Sequence, residues 1–268
     1  MTPPRVIVTR PAQEAERWVR DLRVRGWVAE ALPLIAILPV ADAAARAAIQ
    51  QARARLGGYR AAMFVSGHAV RYFFDADADA GEALAGMETG AWATGPGTAR
   101  ALAQAGWPPM RIDVPDTDAG EQADSEALWA RVQAQIQPGA RVLIVRGGDA
   151  SGRPAGRAWL TDQLAAAGAQ VDTVAAYRRA PPVWDAAQQA LARAALQDGS
   201  VWLLNSSEAA ANLSALGRDL VSGLIPQNAR AVATHPRIAR AARAAGFGAV
   251  IESRPTLDAV IRSIESFA

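Results

Sequence analysis

Four short segments of this chain place a small hydroxyl residue where an apolar run ends and a helix would begin. They are Ser66-Gly67, Thr94-Gly95-Pro96-Gly97-Thr98, Ser206-Ser207 and Thr234-His235-Pro236. The first turn of a helix has backbone N–H groups without internal partners, and its dipole adds partial positive charge. Such junctions favour a bound anion. The ordinary alternative is that Ser66, Thr98 and Ser206 only cap their helices, a common task for these residue types. The case for function is that there are several junctions, symmetrically placed. Arg10 and Arg146 each follow the first apolar run of a strand–helix–strand unit and add cationic partners for an anion. Tyr177 closes another apolar run and precedes Arg178 and Arg179, at an expected domain hinge. A phenol held near cations can give a proton to a leaving group. The alternative is a tyrosine that anchors the connection by packing.

The missing residue types narrow the chemistry. The 268-residue chain has no cysteine, and all 28 of its basic residues are arginine. Disulfides, thiolate nucleophiles, cysteine metal sites, lysine Schiff bases and phosphate-loop lysines are therefore excluded together. His68 and His235 are the only histidines, so a three-histidine metal site is excluded within one chain. Both read as surface or cap residues, and His235 draws more interest because it opens a repeated helix. Ser66 is not in a Gly-x-Ser-x-Gly elbow, which argues against a serine hydrolase. Gly95-Pro96-Gly97 half-resembles a dinucleotide fingerprint, but Arg100 stands at the third glycine, which argues against nicotinamide or flavin. Chemistry is left to backbone amides, hydroxyls, carboxylates, tyrosine and arginine. A net charge of +2 is no nucleic-acid footprint. The first residues lack the apolar core of a signal peptide. The longest apolar run, 31–41, is broken by Pro33 and Pro39 and falls well short of the ~20 residues a membrane span needs. The expectation is a cytoplasmic monomer with no metal, no nucleic acid and no membrane contact.

The elements that must position these residues follow from periodicity. Val6-Ile7-Val8 reads as a short strand. Ala15, Trp18, Val19 and Leu22 recur at helical spacing, Gly26 stops that helix, and a second apolar stretch runs from Val28 to Leu34. The same strand–helix–strand pattern returns with Val142–Val145, a helix carrying Trp159, Leu160 and Leu164 that stops at Gly168, and Val171–Tyr177. A direct repeat lies elsewhere: residues 93–106 and 233–246 agree at eight positions with an offset of 140, and the same offset lays Ser66 on Ser206. Two similar parallel-sheet α/β domains are expected. The segments 33–40 and 177–182 read as linkers. They divide the chain into a discontinuous domain of residues 1–36 plus 182–268 and an inserted domain of residues 37–181.

These landmarks resemble the uroporphyrinogen-III synthase family. The matching residues are Val8-Thr9-Arg10-Pro11, Phe64-Val65-Ser66 before Ala69-Val70, and Ala93-Thr94-Gly95 with Thr98-Ala99. The strand–helix–strand unit ending in Tyr177 and the closing Ala233-Thr234-His235-Pro236-Arg237-Ile238-Ala239 complete the set, over about Val6 to Ile264. The resemblance implies an enzyme that closes the linear tetrapyrrole hydroxymethylbilane into uroporphyrinogen III, inverting the last pyrrole ring and losing water. It implies no metal and no organic cofactor. It also implies two α/β domains joined by a two-stranded linker, with the active site in the cleft between them. By position, Tyr177 matches the family tyrosine thought to assist loss of the hydroxyl, Thr98 a threonine lining the cleft, and Ser66 and Ser206 the serines at paired strand ends. Arg10, Gly95, Gly97, Arg146, Thr234 and His235 are further candidates for binding the substrate's carboxylates. The last motif departs from the family pattern, with Ile238 where many members have threonine and His235 where they have glycine. A non-catalytic two-domain protein that binds a small anion is the alternative.

Overall fold

The computed structural model describes residues 3–74, 84, 86–115, 125–156, 158–220 and 225–267. The chain divides into two compact units, one of Met1–Ala36 with Pro181–Ala268 and one of Ile37–Ala180. In chain order the described elements begin with β1 (Val6–Val8), α1 (Ala12–Val24), β2 (Ala29–Ala31), β3 (Ala36–Pro39), α2 (Ala43–Ala54), β4 (Ala61–Phe64) and α3 (Gly67–Phe74). There follow β5 (Gly90–Ala93), α4 (Pro96–Gln104), β6 (Ile112–Asp113), α5 (Ser125–Val132), β7 (Arg141–Gly148), α6 (Trp159–Ala166) and β8 (Gln170–Ala180). The last are α7 (Ala186–Gln197), β9 (Val201–Leu204), α8 (Ser207–Leu220), β10 (Arg230–Ala233), α9 (Pro236–Ala245), β11 (Ala249–Glu252) and α10 (Leu257–Glu265).

The first unit holds a five-stranded sheet in the order β11-β10-β9-β1-β2, and all four of its ladders are parallel. Parallel strands covered by helices on both faces must be apolar throughout, and β1 and β9 are buried at every residue. Helix α1 turns Ala15, Trp18, Val19 and Leu22 onto β1, β9 and α10, where they meet Val6, Val8, Val201, Leu203, Val260 and Ile264. Gly26, with φ +83°, takes the left-handed turn that leads α1 into β2. The buried hydroxyl of Thr9, just past β1, donates to the Leu203 carbonyl at 2.7 Å and ties the ends of β1 and β9 together.

The second unit holds a six-stranded sheet in the order β3-β8-β7-β4-β5-β6. From β8 to β6 its ladders are parallel. One face packs Phe64, Phe73 and Trp107 edge to face, with Phe64 and Phe73 centroids 5.6 Å apart. The other face packs Met63, Trp92 and Ile144 against Leu128, Leu160 and Leu164. Burying side chains of this size is worth roughly 1.5–3 kcal/mol each, which makes the two faces the main source of the unit's stability.

The two sheets repeat one another. Strands β4 and β5 correspond to β9 and β10 at an offset of 140, and the starts of α3 and α4 correspond to those of α8 and α9 at the same offset. Val6 pairs with Val201 as Val142 pairs with Ala61, so β1 corresponds to β7, and Arg10 and Arg146 each stand four residues further on.

Several boundaries differ from the sequence reading. Of the stretch 28–34, only Ala29–Ala31 is strand. Ala36–Pro39, expected as linker, forms the edge strand β3, which tolerates Pro39 at its last position. Arg146 lies inside β7 and Arg178–Ala180 inside β8, because these two strands stay paired as far as Gly148 and Arg178. Tyr177 is therefore an interior strand residue, not the end of one. No helix among the described residues is long and apolar enough to cross a membrane.

Candidate active site

In an open parallel sheet the carboxyl ends of the strands face the ligand crevice. In the second unit this edge gathers Tyr177, Ser66 and the starts of α3 and α4. Tyr177 is only 5% exposed, and its hydroxyl lies 3.2 Å from Ser66 Oγ. Ser66 Oγ also accepts the Ala69 amide at 3.1 Å, so the capping alternative holds as well. One hydroxyl oxygen thus closes the first turn of α3 and touches the phenol. The His68 and Tyr72 rings flank Tyr177, each with its centroid 5.9 Å from that of Tyr177. His68, expected as a surface or cap residue, is instead a partly buried neighbour of the phenol, one turn above Tyr72 on α3.

Helix α4 starts beside α3. A Cβ on Gly67 would stand 3.6 Å from Ala101 Cβ and 3.9 Å from the Gly97 carbonyl oxygen. The residue before α4 is Gly95, which has no side chain with which to cap the Gly97 amide. A Cβ on Gly97 would meet nothing within 4 Å. Thr98 is not a cap. It sits inside the first turn of α4, 6% exposed, and its amide bonds the Gly95 carbonyl at 3.1 Å. Thr94 donates to the Val65 carbonyl at 3.1 Å, which fixes the end of β5 against the end of β4.

Arg146 projects from β7, and its guanidinium rests on Gly156, where a Cβ would come within 2.1 Å of Nη2. Burial lowers its pKa, and the like charge of Arg179 lowers it further, while Tyr177 opposes the shift. An arginine starts so high that it stays charged at neutral pH. A cation that is partly desolvated and close to a like charge is suited to an incoming carboxylate.

The corresponding edge of the first unit is organised differently. Ser206 Oγ accepts the Glu208 amide at 3.2 Å, a local capping bond. Thr234 is 8% exposed, and its amide bonds the Leu204 carbonyl at 3.1 Å. His235 Nδ1 accepts the Arg237 amide at 3.0 Å, so the imidazole occupies the donor that an anion at α9 would use. The repeat has diverged here, since Gly95 leaves the equivalent donor on α4 uncapped. Arg10 is turned back on its own helix, 3.2 Å from Glu14 and with its guanidinium carbon 4.6 Å from the Trp18 ring centroid. Its pKa is lowered, chiefly by burial. A groove of about 350 Å³ in this unit is lined by residues 251–254 and by α10 and the turn after it, and includes none of the candidate residues.

The described residues form a duplicated α/β protein whose strand ends carry hydroxyls, arginines and one buried phenol, a set suited to an anionic substrate. The model of the family described as uroporphyrinogen-III synthase HemD matches residues 16–262, and the chain belongs to that family. Two solved structures have the same fold along their length. One is a mutant uroporphyrinogen III synthase of the extremely thermophilic bacterium Thermus thermophilus, 19% identical over 98% of each chain, with a TM-score of 0.54. The other is the uroporphyrinogen-III synthetase of Helicobacter pylori, 14% identical over 99% of this chain and 100% of that one, with a TM-score of 0.61. Comparison with curated proteins gives no match.

Proposed function

We propose that this chain is the lyase of its family, converting hydroxymethylbilane to uroporphyrinogen III with loss of water. The observation that carries this reading is a buried tyrosine hydroxyl 3.2 Å from a serine hydroxyl, in a chain matched by the family from residue 16 to residue 262. The pyrrole nitrogen of the substrate pushes out the terminal hydroxyl. Tyr177 supplies the proton, so the C–O bond breaks to release water and leave an azafulvenium cation beside the phenolate. Ser66 keeps the Ala69 amide on one lone pair and turns its own O–H toward the phenolate, holding that charge until the proton returns.

The substituted carbon of the last ring then attacks to give the spiro intermediate, which fragments and recloses. The proton lost on reclosure restores Tyr177, so the net change is loss of one water. Arg146 and the uncapped start of α4, at Gly95 and Gly97, bind substrate carboxylates, with Thr98 packed beneath them. Ser206, Thr234, His235 and Arg10 belong to the same proposal as weaker members, because Ser206 Oγ, His235 Nδ1 and Arg10 Nη1 already have partners within their own unit and Thr234 is buried there. No metal or organic cofactor enters these steps. The test is consumption of freshly generated hydroxymethylbilane in the presence of a chelator. Loss of substrate faster than its spontaneous cyclisation upholds the reading. Binding without faster loss would favour an anion-binding protein instead.

A further inference from the structure

We infer that Gly147 is a positioning residue for the Tyr177 hydroxyl, because the phenol ring lies where a side chain at this position of β7 would stand. The inference rests on the hydroxyl role proposed above for Tyr177. Strands β7 and β8 pair one to one from Arg141 with Gln170 to Arg146 with Ala175. The register then jumps to Gly147 with Tyr177, leaving Ala176 as an extra residue on β8. Strand alternation would place Val174 and Ala176 on one face and Tyr177 on the other. The bulge cancels that alternation. Val174, Ala176 and Tyr177 all join the core cluster that holds Phe64, Ala69, Val70 and Phe73, the side on which α3 carries Ser66 at its start. A bulge that re-aims one side chain is a recurrent device beside functional sites.

Turning the ring this way lays it over the paired residue. A Cβ on Gly147 would stand 2.7 Å from Tyr177 Cε2 and Cζ and 2.9 Å from its hydroxyl oxygen. Carbon atoms in contact prefer about 3.5–4.0 Å, so ring and side chain cannot share the place. The ring has little room to yield, being 5% exposed between His68 and Tyr72. The strand is hemmed in at the next residue as well, where the 152–153 backbone approaches so closely that a Cβ on Gly148 would stand 2.9 Å from the Gly152 carbonyl carbon. Gly147 does not have the left-handed φ that strains other residues, so replacing it with alanine tests space and not backbone strain.

The experiment compares Gly147→Ala, Tyr177→Ala and the double variant for kcat, KM and melting temperature on hydroxymethylbilane. A displacement of the hydroxyl by the order of an ångström predicts a kcat loss of roughly tenfold or more for Gly147→Ala, with KM within about threefold of wild type. Tyr177→Ala vacates the space, so adding Gly147→Ala to it should lower neither rate nor melting temperature further. A kcat for Gly147→Ala close to wild type, or an equal fold-loss in both backgrounds, would overturn the inference. Should Gly147→Ala not fold while Tyr177→Ala does, a folded double variant upholds the contact and an unfolded one overturns it. Full activity in Tyr177→Ala alone would overturn the hydroxyl reading itself, an outcome visible before Gly147 is changed.

Discussion

Exchanging Tyr177 for phenylalanine removes one oxygen and keeps the ring, its seat on Gly147 and its contacts with His68 and Tyr72. The lost bond is the 3.2 Å contact with Ser66 Oγ, and Ser66 keeps the Ala69 amide, so no buried group is left without a partner. The stability cost is then that of one ordinary hydrogen bond, about 1 kcal/mol. In a domain of this size that lowers the melting temperature by roughly 2–4 °C. The chemical cost is of another order. A positioned proton donor contributes about 10²–10⁴-fold to rate, or roughly 2.7–5.4 kcal/mol of barrier. Tyr177→Phe should therefore lose about a hundredfold or more in kcat while remaining folded at assay temperature. The assay is the steady-state rate on freshly generated hydroxymethylbilane, with thermal melts run in parallel. A kcat within about threefold of wild type would refute the donor role, because such a change is far smaller than the loss of a proton donor produces.

Four further outcomes follow from the geometry. Ser66→Ala removes both the α3 cap and the serine partner of the buried Tyr177 hydroxyl, so in denaturant melts it should cost more than Tyr177→Phe, about 2 kcal/mol, with a smaller kcat loss because the Tyr177 hydroxyl remains. Asp172 is held below the usual carboxylate range by the Tyr59 hydroxyl at 2.7 Å, then by Arg141. Its contribution is present above the unfolded value, about pH 3.9, and is lost as pH falls through the folded value, so Asp172→Asn should flatten the acid limb of a stability–pH profile. Tyr59 is pushed up to about 12 by burial and by Asp172, so its contribution is lost only as pH rises through that value. An absorbance titration should show one tyrosine that stays protonated well past pH 10 and ionises near 12. Gly26→Ala meets no neighbour within 4 Å but must adopt φ +83°, so it should cost about 1 kcal/mol in stability and leave kcat unchanged.

How far the sequence discloses the fold depends on where each element lies. Val6–Val8, Ala61–Phe64 and Val201–Leu204 are readable because a strand buried on both faces has to be a short apolar run. Helix α1 is readable because its buried residues keep helical spacing up to a glycine. The offset of 140 is readable because two junctions with similar duties kept the same small residues. Edge strand β3 is not readable, since Pro33 and Pro39 mark it as a connection and it gains strand character only by lying beside β8. The end of β8 is hidden for a related reason, because Arg178 and Arg179 break the apolar run while the backbone goes on pairing. In the site, Tyr177 and Ser66 stand out by residue type and position, and their 3.2 Å contact depends on a bulge that no side-chain pattern encodes. Gly147 passes as an ordinary strand-end glycine until the ring above it is seen. Thr98, a cap candidate by residue type, is instead buried inside its helix, whereas His235 is the cap its residue type and place suggested, standing where the repeat has Gly95.

The isomer produced decides whether the chain is the synthase. Hydroxymethylbilane generated in place would be incubated with the purified chain and a chelator, and the oxidised products separated into isomers I and III. Isomer III should appear in clear excess over the spontaneous isomer I. Isomer I alone, from protein shown to be folded, would contradict that assignment.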